Sequence, residues 1–111
     1  MDRSTVESLW AHLHALTVLA EQGSFTAAAA RLRISKAAMS QRIAELEQAA
    51  GVQLVRRTTR SMRLTEAGRS LVDELSGSFE HIAASFTGLS AASGAPRGLV
   101  RVTTAVALGR Q

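Results

Sequence analysis

Apolar positions in the first half of the chain predict three helices separated by short turns. The first stripe has helical spacing, is capped at its start by Ser4 or Thr5, and ends before Gly23; its members are Leu9, Leu13, Leu16 and Ala20. Ser24 and Ser35 are typical N-cap residues, and each precedes a further helical stretch. The third stretch runs from Lys36 to about Ala50, with a buried stripe predicted at Met39, Ile43, Leu46 and Ala50. Residues 24–50 therefore have the form of two helices joined by a turn at residues 33–34, with Ile34 expected to plug the core.

The second half of the chain predicts a short hairpin and then one long helix. Val52 and Leu54 alternate with Gln53, and Met62 and Leu64 alternate with Arg63 after a polar turn, as in paired strands. The long helix carries a stripe of apolar residues in heptad spacing: Val72, Leu75, Phe79, Ile82, Phe86 and Leu89. Such a stripe needs another long helix as its partner, and we expect the same helix of a second copy. Packing onto its own domain is the alternative.

The expected fold class is mainly α: a winged helix-turn-helix of three helices and a β-hairpin wing, followed by a long linker or dimerisation helix. The winged helix-turn-helix is expected at residues 1–64, with the helix-turn-helix at 24–50 and the wing at 52–64. The long helix follows at 65–92 and a linker at 93–97. Residues 98–111 alternate like a strand, and a single strand cannot form a domain. We therefore expect this segment to be the truncated first strand of a missing domain. Whether the end at Gln111 is natural stays open.

The basic residues are concentrated on the predicted helix-turn-helix and hairpin. The chain has 111 residues and a net charge of +4, but the stretch from Arg31 to Arg63 holds eight basic residues against two acidic ones. From Leu64 to Ser90 the balance is one basic residue against four acidic ones. A basic region beside an acidic helix indicates a polyanion-binding surface and a second surface with another task.

Other function classes find little support in the sequence. The absence of cysteine excludes disulfides and thiolate metal sites, and no apolar run is long enough to span a membrane. Sequence motifs of metalloproteases, phosphate-binding loops and nucleophile elbows are missing. His12 and His14 are two positions apart on a helix, so they cannot share one metal ion. We therefore expect no catalytic site, no metal, no cofactor and no membrane partner, and a cytoplasmic location.

A series of short motifs runs in order from residue 23 to residue 68. They are the GSF of 23–25, the alanine pair 28–29 before Leu32, the S-x-x-A-x-S of 35–40, Ile43, the LE of 46–47, the GV of 51–52, Leu54, the RTTR of 57–60 and the LTEAG of 64–68. In this order and spacing the chain resembles the LysR-type transcriptional regulators. Ala50, where the family usually has leucine, and Ala37, where it often has proline or serine, depart from the pattern.

The resemblance implies a winged helix-turn-helix that dimerises through the long helix and reads an inverted repeat in double-stranded DNA. The GLVRV of 98–102 also resembles the start of the family's effector-binding domain. A small-molecule inducer is implied only where that domain is present, and DNA binding without it is expected to be constitutive. Higher oligomers than a homodimer stay open for a full-length protein.

The polar side of the third helix is expected to face outward at its N-terminal end, which enters the major groove first in helix-turn-helix docking. The expected base-reading residues, which also match the family's base-reading positions, are Lys36, Ala37, Ser40 and Gln41. Phosphate contacts are expected from helix N-termini and from the basic hairpin: Thr26, Ser35, Arg42, Arg57, Arg60 and Arg63. Arg57 and Arg60 are expected at the hairpin tip. The alternative is a solvated polar face without a ligand. Arg31 is expected to pair with an acidic residue of a neighbouring helix, and Trp10 to pack.

The predicted function is a sequence-specific DNA-binding transcription regulator. The alternative is a protein-interaction module whose helix-turn-helix does not read DNA. RNA binding is disfavoured because readout of single-stranded RNA usually needs exposed aromatic rings, and Phe25, Phe79 and Phe86 are expected to be buried.

Overall fold

The computed structural model describes residues 1–58 and 61–92, and within them the fold is mainly helical. Its elements in chain order are α1 (Arg3–Glu7), α2 (Trp10–Gln22), α3 (Phe25–Leu32), α4 (Lys36–Ala50), β1 (Val55–Arg57), β2 (Met62–Leu64) and α5 (Glu66–Ala92). The chain divides after Ser76 into two units. Arg60, the predicted linker at 93–97 and the predicted strand at 98–111 lie outside the described residues. No described helix has the length and apolar character needed to cross a membrane.

The predicted helix boundaries at the helix-turn-helix are confirmed by their caps. The Ser24 hydroxyl accepts a hydrogen bond from the backbone N–H of Ala27 at 3.1 Å, and the Ser35 hydroxyl accepts one from Ala38 at 3.0 Å. Both hydroxyls satisfy N–H groups that the first turn of a helix leaves without a partner. The helix α2 ends at Gly23, whose φ of 80° lies in the left-handed region that glycine adopts without strain.

The first predicted helix is in fact two helices, and the expected cap was wrong. The carboxylate of Asp2, not Ser4 or Thr5, caps α1 by accepting a hydrogen bond from the Thr5 N–H at 2.8 Å. The chain then leaves the helix at Ser8, and α2 begins at Trp10. The Trp10 side chain is 59% exposed, so the expectation that it packs was also wrong.

The core of the first unit lies between α2, α3 and α4. Its largest fully buried side chains are Leu16, Leu19, Met39, Leu54 and Val18. The small residues Ala28 and Ala29 are buried and permit α3 to lie close to its neighbours. Ile34 packs against this core beneath the turn, as predicted, whereas Ala50 is exposed and does not extend the buried stripe of α4.

The hairpin begins later than the alternating pattern predicted. The strands β1 and β2 pair antiparallel, with Val55 opposite Leu64 and Arg57 opposite Met62. Val52 is exposed and lies outside the sheet. Leu54 and Val55 are consecutive and both buried, which a strictly alternating strand would not allow.

The long helix α5 starts next to the predicted residue 65 and is capped by a threonine, but its first turns belong to the first unit. The Thr65 hydroxyl accepts from the Gly68 N–H at 3.1 Å and donates to the Gln53 carbonyl at 2.7 Å. Val72 belongs to the core of this unit. The first unit runs to Ser76 and so includes the first turns of α5.

The predicted dimerisation stripe is accordingly divided between a buried and an exposed part. Val72 packs within the core of its own unit, and its assignment to a surface for a second copy stays a prediction. Leu75 and Phe79 are half-buried. Further along, Ile82, Phe86 and Leu89 are 59, 55 and 65% exposed. The expectation of a buried Phe86 is not met within a single chain.

Candidate nucleic-acid interface

The outward face of α4 carries the predicted base-reading residues. Lys36, Ala37 and Gln41 are exposed and Ser40 is half-buried, while Met39 on the opposite side of the helix is fully buried. The burial of the apolar stripe thus fixes which side chains point to solvent. The structure places all four residues in the first two turns of the helix. That they read bases stays a prediction.

A shallow open groove separates α4 from the hairpin. Its lining residues are Ala37, Ser40, Gln41, Ile43, Ala44, Glu47, Val55 and Arg57. Three of the predicted base-reading residues therefore line the α4 side of the groove. A predicted phosphate contact, Arg57, lines the hairpin side. Lys36 does not line this groove.

Arg57 was predicted to lie at the hairpin tip, and this placement was wrong. It is the last residue of β1, and its guanidinium donates a 2.7 Å hydrogen bond to the Ser40 hydroxyl. Its central carbon lies 3.6 Å from the centroid of the Phe25 ring, as in a cation–π contact. Arg57 therefore ties the hairpin to both α3 and α4. A guanidinium has five N–H donors, and the bond to Ser40 uses one of them. The other donors remain for a phosphate, and that contact stays a prediction.

Two other arginines of the hairpin are directly opposite each other. Arg56 on β1 pairs in register with Arg63 on β2, and both side chains are exposed. Within the described residues, neither arginine forms an ion pair. Like charges directly opposite each other destabilise a strand pair. A bound anion would remove that repulsion.

The remaining phosphate candidates lie at the helix ends and on α4. Thr26 is exposed in the first turn of α3, and Ser35 is exposed at the start of α4, where its hydroxyl already caps the helix. Arg42 is half-buried on α4. Arg31, which was expected to pair internally, lies 3.7 Å from the Glu21 carboxylate, so this prediction is confirmed.

Glu47 holds the start of the hairpin against α4, a role that the residue pattern did not predict. Its carboxylate oxygen Oε2 accepts hydrogen bonds from the backbone N–H groups of Leu54 at 2.8 Å and Val55 at 3.0 Å. This explains why the two residues can both be buried, since their donors are satisfied by a side chain and not by a partner strand. The available signal was an acidic residue directly after the buried Leu46, close in sequence to a predicted strand.

A second missed contact involves a base-reading candidate. The Glu45 carboxylate accepts a 2.9 Å hydrogen bond from the Gln41 amide nitrogen, and its other oxygen lies 2.8 Å from Nε2 of His12 on α2. The hydrogen bonds from Gln41 and then His12 hold the pKa of Glu45 below its usual range. Glu45 is therefore ionised at neutral pH. Nothing in the sequence pattern around His12 indicates this contact, because the two residues are 33 positions apart.

The stability of the fold is expected to depend on pH through His14. Partial burial, followed by the nearby charges of Arg31 and Arg42, lowers the pKa of His14, and Glu21 opposes this change. Since the unfolded chain then binds more protons than the folded one, the free energy of unfolding is expected to fall as the pH drops below about 6.5. Urea midpoints at pH 7.5 and 5.5, compared between the parent and His14→Gln, would measure this effect.

The variant is expected to lose less stability between the two pH values than the parent. Only the difference between pH values is compared, because the substitution itself can change stability at any pH. Equal losses in parent and variant would contradict a depressed pKa at His14.

Comparison with known proteins decides the family. Residues 10–69 match the profile described as "Bacterial regulatory helix-turn-helix protein, lysR family". This match covers more than half of the chain. The chain belongs to the lysR family. The resemblance drawn from the short motifs of residues 23–68 is thereby confirmed.

Two relatives, both named HTH-type transcriptional regulators, show how much of a longer protein this chain represents. The regulator PgrR of Escherichia coli K12 is 42% identical over 94 residues, which cover 85% of this chain and 31% of that protein. PtxR of Pseudomonas aeruginosa is 37% identical over 92 residues, covering 83% and 30%. The chain thus spans about a third of the length of these curated relatives.

Two solved structures share the fold of this chain. The DNA-binding domain of CbnR, in a crystal structure with DNA, matches with a TM-score of 0.62 and 30% identity over 74% of this chain and 94% of that one. The oxidised form of Corynebacterium glutamicum OxyR matches with a TM-score of 0.69 and 32% identity over 76% and 26%. Both likenesses confirm the expected fold class.

Proposed function

We propose that this lysR-family chain binds double-stranded DNA and so acts as a transcription regulator. The observation that carries the proposal is the open polar face of α4 beside a hairpin of exposed arginines. The major groove is about 12 Å wide and admits one α-helix. Lys36, Ala37 and Gln41 are the exposed side chains at the end of α4 that enters first in this type of docking.

The unpaired charge on the hairpin supports the same function. Arg56 and Arg63 are cross-strand neighbours that have no ion pair within residues 1–58 and 61–92. A phosphate backbone supplies the missing negative charge and contributes most of the affinity of such interfaces. The likeness to the CbnR domain adds weight, because that domain was crystallised with DNA and nearly its whole length is covered.

A second copy of the chain is the partner that we propose for the exposed part of α5. Ile82, Phe86 and Leu89 lie at heptad spacing and are each more than half exposed. Paired helices of this kind would hold two copies of α4 apart, so that the dimer reads an inverted repeat. Any response to a small-molecule inducer would belong to a longer protein that contains the family's effector-binding domain.

DNA binding is expected to depend on salt through the hairpin arginines. Replacing Arg60 or Arg63 by alanine is expected to weaken binding to every sequence and to lower the slope of log affinity against log salt concentration by about 0.9 for each lost phosphate contact. Fluorescence anisotropy on a labelled duplex over a range of salt concentrations measures both quantities. Arg31→Ala is the matched control, because it removes an arginine that already has an acidic partner.

The alternative function predicts a different result. A protein-interaction module would bind neither selected nor random duplexes at low salt, and the arginine variants would behave like the parent. Equal slopes for parent, Arg63→Ala and Arg31→Ala would remove Arg63 from the DNA interface even if the parent binds.

A further inference from the structure

We propose that Glu45 is a positioning residue that orients the Gln41 amide to recognise adenine in the major groove, with His12 holding Glu45 in place. The inference rests on the proposed DNA-binding function. It concerns a specificity determinant that lies outside the predicted base-reading set, because Glu45 acts on the base through Gln41.

The contact between Gln41 and Glu45 has a defined donor and a defined acceptor. The two residues are one helical turn apart on the exposed face of α4, and the Gln41 amide nitrogen donates to Oε2 of Glu45 at 2.9 Å. A carboxylate accepts hydrogen bonds and cannot donate them when ionised. The nitrogen end of the Gln41 amide must therefore face Glu45, since the opposite orientation would bring two acceptor oxygens together.

The groups that Gln41 has left match one base. Its amide has two N–H donors and one carbonyl acceptor, and Glu45 uses one donor. The remaining donor and acceptor complement N7 and the N6 amino group of adenine, the pair that glutamine recognises in the major groove. A single orientation of the amide fixes where along the helix the donor and the acceptor are presented. Glu45 therefore selects the adenine contact without touching the base.

His12 limits the freedom of Glu45 itself. Nε2 of His12 lies 2.8 Å from the second carboxylate oxygen, and only 19% of the His12 side chain is exposed. Because the carboxylate only accepts, Nε2 must carry the proton. Nδ1 of His12 is buried and has no hydrogen-bond partner in the described part of the chain. The contact to Glu45 is therefore the only polar contact of the ring in the described part of the chain. Through it, α2 supports the orientation of the Glu45 side chain on α4.

The competing role for Glu45 is electrostatic. An anion on a DNA-facing helix repels phosphates, so removing it would raise affinity for all sequences by a similar factor. Orientation of Gln41 affects instead the ratio of affinities for adenine and for other bases at one position. A side chain that is already immobilised before binding avoids an entropy cost. Its loss corresponds to a change of about two- to tenfold in the binding constant. The two roles are therefore separated by measuring discrimination as well as affinity.

The experiment starts from duplexes selected by the parent protein from a random pool. Gln41→Ala identifies the base pair that Gln41 reads, as the position where discrimination is lost. At that base pair, Glu45→Ala is expected to lower the preference for adenine about two- to tenfold, with other positions unchanged. Glu45→Gln, which keeps a neutral acceptor, is expected to lie between the parent and Glu45→Ala. Glu21→Ala removes a carboxylate of similar exposure and is expected to leave discrimination unchanged.

The double variant tests whether Glu45 acts through Gln41. In the Gln41→Ala background, Glu45→Ala is expected to change discrimination no further. Unchanged discrimination in Glu45→Ala alone, an additive loss in the double variant, or a base other than adenine at this position would overturn the inference while leaving DNA binding intact. Failure of the parent to bind any duplex would overturn the proposed function, and this inference with it.

Discussion

Replacing Gly68 by alanine is expected to destabilise the first unit by about 3 kcal/mol or more, the upper range for added atoms in a packed interior. A Cβ atom at residue 68 would overlap the backbone carbonyl of Leu54. This carbonyl cannot move away, because its oxygen accepts a 3.0 Å hydrogen bond from the Thr65 N–H and Leu54 is buried. No side-chain rotation relieves a contact with backbone atoms.

The close approach at Gly68 matters for the proposed interface because it joins the hairpin to the start of α5. The Thr65 hydroxyl caps that helix through the Gly68 N–H and also contacts the chain at Gln53, just before the hairpin. A forced shift at residue 68 would therefore move the hairpin relative to α4. We expect weaker DNA binding in Gly68→Ala even at temperatures where the variant is folded.

Gly77→Ala is the matched control for this prediction. A Cβ atom at residue 77 meets nothing within 4 Å, and the residue lies inside the same helix. Alanine should there stabilise the helix by about 0.5–1 kcal/mol, since glycine loses more backbone entropy on folding. Urea unfolding monitored by circular dichroism compares the two variants with the parent. A Gly68→Ala variant as stable as the parent would contradict the close packing of α5 on Leu54.

Features governed by local rules could be predicted from the sequence. Ser24 and Ser35 cap helices because their hydroxyls reach N–H groups only three residues away. Gly23 ends α2 because its left-handed conformation suits glycine. The buried stripe of α4 follows from a spacing that holds within one helix. Each of these depends on residues close together in the sequence, and so does the open polar flank of α4.

Contacts between distant residues could not be predicted in the same way. Arg57 lies over the Phe25 ring, and His12 reaches Glu45, although more than 30 residues separate the partners in each pair. Periodicity indicates that a polar side chain is near the surface, but not which neighbour it contacts. Val72 shows the matching difficulty for apolar residues: heptad spacing predicts burial without indicating whether the burying surface is the same chain or another copy.

Replacing Glu47 by alanine is expected to destabilise the first unit by about 3 kcal/mol, since two hydrogen bonds to a charged acceptor are lost, each contributing about 1.5 kcal/mol or more. Both donors are backbone N–H groups of buried residues, Leu54 and Val55. Both N–H groups are directed to the Glu47 carboxylate and not across the hairpin, although Val55 itself lies opposite Leu64 in the sheet. The hairpin start should therefore be affected more than the helices.

Glu47→Gln separates the loss of charge from the loss of the acceptor. Both N–H groups contact the same oxygen, Oε2, and a glutamine carbonyl can occupy that position. We expect Glu47→Gln to lose about half as much stability as Glu47→Ala, because neutral hydrogen bonds contribute about 0.5–1.5 kcal/mol each. Urea unfolding of the parent and both variants gives this order directly.

Amide hydrogen exchange locates the effect within the fold. In Glu47→Ala, the Leu54 and Val55 amides are expected to lose protection to a greater extent than those of Met39 and Ile43 on α4, because they lose their acceptor while the helix keeps its own hydrogen bonds. A uniform loss of protection across the unit would mean that Glu47 contributes only to global stability. Retained protection at residues 54 and 55 would show that another group accepts these hydrogen bonds, and that the carboxylate does not hold the hairpin against α4.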